Sequence, residues 1–173
     1  MTTLLDPQTK ISASPHVLSA IRAENCNLAV WQRTSVAGLD ALELDRIKDI
    51  RFASSVGELE RALEAQCEQA GYAPGNVRTA LVRDIANLAD HFAAIMELGA
   101  IQVRLAIVTT NSCRKFHADY VKARLITTYI GTGTQWIEDQ DLAGVSNGEE
   151  PRRINALSAG DVGLFKGKMW TQD

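Results

Sequence analysis

The sequence predicts an α+β fold, a helical N-terminal half packed on a C-terminal antiparallel β-sandwich or jelly-roll-like barrel. Three observations carry that expectation. Apolar residues recur at helical spacing as far as Leu98, the period drops to two at Ile101, and short β-branched or aromatic runs then alternate with glycine-containing turns. Helices followed by strands, rather than the two in alternation, is the order of an α+β chain. Residues 15–173 read as one domain, mainly helical over 15–98 and mainly β over 101–173. Residues 1–14 show no clear period and read as a mobile lead-in.

Taken in order, Pro15 opens a short helix to about Glu24, with Ser14 as its cap and Val17, Leu18 and Ile21 on one face. Residues 27–33, Asn-Leu-Ala-Val-Trp-Gln-Arg, have the apolar and aromatic content of a short strand. Two helices are expected over 35–71, split by Ile50-Arg51-Phe52-Ala53. The second would start at Ser55, with Glu58 in capping-box position, and stop at Gly71. A longer helix over 76–98 follows from the spacing of Leu81, Ile85, Leu88, Phe92 and Ile95, with Gly99 ending it. Beyond it, 101–109 alternates as a strand and 124–130 is a second strand. Gly131-Thr132-Gly133-Thr134 turns that strand into a returning one at 135–137. A polar loop over 138–152 precedes strands at 154–157 and 162–166, the last with the composition of an interior strand.

A chain of 173 residues with 46% hydrophobic and 23% charged residues has the make-up of one globular domain and leaves little room for long disorder. Eighteen Lys and Arg against 21 Asp and Glu give a net charge of -3, which supplies no global field for nucleic acid, so no nucleic-acid partner is expected. No apolar run is long enough to span a bilayer, and the N-terminus lacks the basic and apolar regions of a signal peptide. The expectation is a cytoplasmic protein without a membrane partner. Cys26, Cys67 and Cys113 are odd in number and far apart, which argues against a disulfide framework.

The segment 113–120, Cys-Arg-Lys-Phe-His-Ala-Asp-Tyr, carries the most chemistry. On a strand, residues two apart share a face, so His117 and Asp119 would present an imidazole and a carboxylate side by side, a pair able to hold a divalent metal. With a third ligand from a distant strand the set becomes the facial triad of two histidines and one carboxylate that leaves open positions on Fe(II). The plainer alternative is a core-edge or surface histidine bonded to Asp119 with no metal. Cys113, four residues before His117, is a candidate third ligand, because thiolate with imidazole suits zinc; the alternative is a small buried side chain. Arg124 is a candidate anchor for a substrate or cosubstrate carboxylate, with Tyr129 on the same strand-like segment; Lys166 reads more readily as a solvated cation. His91 flanks the apolar stripe of the long helix and reads as a boundary residue, and Trp31, Trp136 and Trp170 read as packing groups.

The block 113–136, together with Gly160-Asp161-Val162-Gly163-Leu164-Phe165-Lys166-Gly167 and the earlier Asn-Leu-Ala-Val-Trp-Gln-Arg at 27–33, resembles an uncharacterised bacterial family, domain of unknown function 1826. That family is similar in pattern to cupin-like and Fe(II)/2-oxoglutarate oxygenase barrels, and its members are associated with zinc-responsive gene sets. The resemblance implies a divalent metal, Fe(II) or Zn, at His117 and Asp119. It implies 2-oxoglutarate as a cosubstrate held by Arg124 and Tyr129, and a small-molecule substrate. The similar chains continue past Lys-Gly-x-x-Trp to a histidine in a His-Arg-Ser-Pro motif, so a distal ligand is expected beyond Asp173, in a longer form of the chain. A metal-dependent oxygenase-type enzyme is the first functional expectation. A non-catalytic zinc-binding protein for storage, delivery or sensing is the second, and a structural interaction domain the third.

Overall fold

The computed structural model describes residues 8–109 and 116–171. They fall into two compact units, one from Met1–Ser35 with Cys113–Asp173 and one from Val36–Ser112.

The first unit is built on a four-stranded mixed sheet. Strands β1 (Thr9–Ser12) and β2 (Leu28–Trp31) run parallel, joined through a 3-10 helix at Pro15–Arg22. Strands β5 (Ala123–Thr127) and β8 (Val162–Lys166) complete the order β1-β2-β8-β5, with β8 antiparallel to both its neighbours. Residues opposite one another in a ladder share a face. Ala29, Val162 and Leu164 therefore lie on one side, packed under the buried Leu18 and Ile21 of the 3-10 helix. Leu28, Val30 and Phe165 lie on the other, in a cluster with Leu157 and Trp136. Trp136 lies in, and Leu157 directly follows, a small ribbon, β6 (Gln135–Trp136) paired with β7 (Asn155–Ala156). Between these two strands runs a helix, Asp139–Ser146.

The second unit is a two-stranded ribbon, β3 (Ile50–Ser55) against β4 (Ala100–Leu105), with helices α1 (Leu59–Gln69) and α2 (Asn76–Met96) between them in sequence. Phe52, Val103 and Ile101 on the inner face of the ribbon meet Leu59, Ile85, Ala86 and Ala89 of the helices. The outward residues Arg51, Ala53, Ser55, Ala100, Gln102 and Arg104 are all exposed, so one face packs and the other is solvated.

Three sequence expectations are corrected by this architecture. The N-terminal half is not a helical layer, because β1, β2 and β3 all precede α1, and Thr9–Ser12, expected in a lead-in, is a sheet strand. Four residues are too few to show a period, and this strand is held by backbone pairing to β2. No sandwich or closed barrel forms among the described residues: the strands divide into one sheet of four and two of two, with a parallel pair in the largest. The reason lies in pairing. The 101–109 segment joins the earlier β3 rather than the later strands, and 135–136 turns away from β5 to pair with β7. The 138–152 stretch, expected as loop, contains the helix Asp139–Ser146, whose two larger aliphatics are Leu142, 46% exposed, and Val145, too few to make a stripe to read.

Candidate functional site

The strand β8 is interior, as its composition suggested, and the chain that leaves it builds the site. Residues 167–169 run alongside 119–122, bonded backbone to backbone. Gly167 N–H donates to Lys122 O (2.8 Å), Lys168 N–H to Asp119 O (2.9 Å) and Met169 N–H to Val121 O (3.1 Å). The approach is close enough that a Cβ at Gly167 would sit 1.9 Å from Val121 O and 2.9 Å from Asp119 O. Only a residue without a side chain fits there. The segment entering β5 is thus irregular rather than a strand, but its backbone is pinned.

On that segment His117 Nε2 lies 3.7 Å from Asp119 Oδ1, and Arg124 Nη1, one residue into β5, lies 3.0 Å from Asp119 Oδ2. Asp119 is the hub, its side chain 29% exposed against 53% for His117 and 47% for Arg124. The two contacts differ in kind. The Arg124 pair is a charge-assisted hydrogen bond, whereas 3.7 Å is beyond hydrogen-bonding range, so imidazole and carboxylate face one another across a gap. Two ligands each about 2.1 Å from a shared ion, at tetrahedral or octahedral angles, stand about 3.0 to 3.4 Å apart, so a small side-chain adjustment closes this gap onto a metal. As an ion pair so exposed, Arg124–Asp119 contributes roughly 0 to 1 kcal/mol to stability, too little to explain the arrangement by folding alone.

The structure brings His117, Asp119 and Arg124 together. Cys113 lies outside the described residues. Tyr129 lies two residues past the far end of β5, an end already roughly 10 Å along the strand from Arg124, and its backbone carbonyl accepts from Ser35 Oγ at 2.9 Å. Lys166, expected in solvent, is on the opposite face of the sheet from Arg124. Its Nζ donates to Ala23 O (2.8 Å) and lies 4.9 Å from the Trp170 ring centre, and burial lowers its pKa from the usual lysine value. His91 is half-buried on α2. Among the described residues no group of three or more His, Cys, Asp or Glu side chains is placed to hold a metal. No helix among them is long and apolar enough to cross a membrane. What sequence reasoning missed is the backbone clip from 167–169; the glycine at 167 was its one visible sign.

The unit is thus a mixed α/β scaffold presenting a His–Asp–Arg cluster at the mouth of an edge strand. The chain belongs to the protein family of unknown function DUF1826, whose model matches residues 12–173. No curated protein and no solved structure matches it.

Proposed function

We propose that this chain binds a divalent metal, with His117 Nε2 and Asp119 Oδ1 as two of its donors. The observation that carries the reading is the 3.7 Å convergence of these two atoms while Arg124 occupies the other carboxylate oxygen. Arg124 then orients Asp119 as a one-oxygen ligand, the role hydrogen-bonding partners of metal-bound carboxylates commonly play. Two protein donors do not complete a site. The remaining ones come from Cys113, from water, or from residues beyond those described, and Zn or Fe(II) fits an imidazole and carboxylate set. With His117 half-exposed, an ion here is open to exchange, as storage, delivery or sensing of zinc requires.

A second reading, a metal-dependent oxygenase-type enzyme, draws on the guanidinium beside the donor pair, a group suited to a 2-oxoglutarate carboxylate. One set of measurements separates them. Zn²⁺ and Fe²⁺ titrations under reducing conditions should show His117→Ala and Asp119→Asn each weakening binding at least tenfold, about 1.4 kcal/mol. Unchanged affinity in both variants sinks the metal reading. Arg124→Gln should weaken metal binding if Arg124 orients Asp119. If instead Fe²⁺ with 2-oxoglutarate yields succinate and the substitution raises the KM for 2-oxoglutarate at unchanged metal affinity, the oxygenase reading stands.

A further inference from the structure

In the second unit the register of the β3–β4 ribbon sets Arg51 directly opposite Arg104. Both point away from the packed face, since Ile50, Phe52 and Val103 take the inward positions of the same strands. Like charges placed directly across a ladder are unfavourable, and none of the outward residues of β3 and β4 is a carboxylate that offsets them. The other outward residues are Ala53, Ser55, Ala100 and Gln102, short or neutral. Arg51 Nη2 donates to Gln102 Oε1 at 3.3 Å, a neutral partner, and Arg104 has no hydrogen-bond or ion-pair partner among the described residues. Asp49, just before β3, accepts the Ile107 N–H through Oδ1 at 2.9 Å and, among the described residues, makes no ion pair with either arginine.

We propose that the outward face of this ribbon, through Arg51 and Arg104, binds a dianionic phosphate group on a small molecule. Two guanidinium forks set across one ladder position, next to the short side chain of Ala53, can each take two oxygens of one phosphate, which is the geometry that distinguishes arginine from lysine. Charge decides between anions. A phosphate monoester, at about -1.5 to -2 near neutral pH, balances two arginines, whereas a carboxylate balances one. The face carries no aromatic side chain on which bases could stack, which favours a small phosphate over a nucleic-acid strand.

Inorganic phosphate and phenyl phosphate are the probes, titrated at low ionic strength and followed by ³¹P line broadening and by the thermal midpoint. Phosphate should bind at least fivefold more tightly than acetate and raise the midpoint. Arg51→Gln and Arg104→Gln should each weaken it at least fivefold, and the double variant should abolish the midpoint shift. Because each substitution relieves a like-charge pair, the ligand-free midpoint should hold or rise, so lost binding is separable from lost folding. Phosphate affinity unaltered in the double variant, or acetate binding equally well, overturns the proposal. A single-stranded oligonucleotide binding far more tightly than phenyl phosphate would overturn the small-ligand assignment.

Discussion

The two units hold themselves together by different means. In the Val36–Ser112 unit, side chains do the work: Leu59, Leu63 and Leu81 are fully or nearly fully buried, and the ribbon and helices meet through interlocking apolar rows. In the other unit an equally buried core is joined by places where backbone passes directly against backbone. Gly167 lies against Val121, and Gly160 (φ +93°) lies against Ser35 and Thr34 so closely that a Cβ would sit 2.3 Å from the Ser35 nitrogen. The unit that carries the candidate site adds, to its buried core of Leu18, Ile21, Val162 and Leu164, contacts that no apolar period announces, and at those points an added methyl group matters as much as a lost one matters in the core.

That contrast can be tested from its strongest expression downward. Leu59→Ala should cost about 2 to 5 kcal/mol, by lost burial and the cavity left among Val103, Ala89 and Phe52, with amide exchange rising across α1 and α2. A fall below 1 kcal/mol would mean the side-chain account of this unit is wrong. Gly167→Ala should cost roughly 1 to 3 kcal/mol by forcing backbone apart, and should speed exchange at the Lys168 amide that holds Asp119. If metal binding at His117 and Asp119 survives that substitution intact, the clip is structural only.

Next in size is a pH effect carried by two acids of the Val36–Ser112 unit. Burial, with the Glu64 charge behind it, pushes the Cys67 thiol up to about 11 from 9.0, and burial pushes the Tyr72 hydroxyl up to about 12 from 10.0. Both are acids with raised folded values. Their contribution is whole below pH 9 and is lost as pH rises through 9 to 11 for Cys67 and 10 to 12 for Tyr72, since the unfolded chain releases those protons first. The loss from Cys67 should be on the order of 1 to 2 kcal/mol, seen as a falling urea midpoint above pH 9. Cys67→Ala should flatten that slope although it lowers the midpoint at neutral pH. The smallest effect is Gly57→Ala. Nothing lies within 4 Å of the added Cβ, and the midpoint should move by no more than about 0.5 kcal/mol.

The same contrast explains what could be read in advance. Helix α2 was legible because Leu81, Leu88 and their neighbours recur at its own period, though it ends at Glu97 in the left-handed region (φ 55°) rather than at Gly99. The interior strand Val162–Lys166 was legible from its unbroken apolar run. Strand β3 reads in the sequence as a break between helices because only Ile50 and Phe52 are apolar on its inner face, and its partner lies beyond two helices. At the candidate site the spacing of His117 and Asp119 put two potential donors near each other in sequence. Their geometry depends on Lys168 and Gly167, brought back by pairing of β5 with β8, and no local pattern encodes such a return.

The position of β8 between β2 and β5 also sets an order of events in time. Strand β2 is made early, yet its antiparallel neighbour is about 130 residues later, a separation whose closure entropy must be met before any contact rewards it. The Val36–Ser112 unit, contiguous and rich in local helical contacts, has every partner it needs long before then. During synthesis it should therefore fold first, while β1 and β2 wait as an incomplete sheet with the apolar edge of Leu28 and Val30 uncovered. Chaperone dependence in the cell should accordingly track that waiting strand.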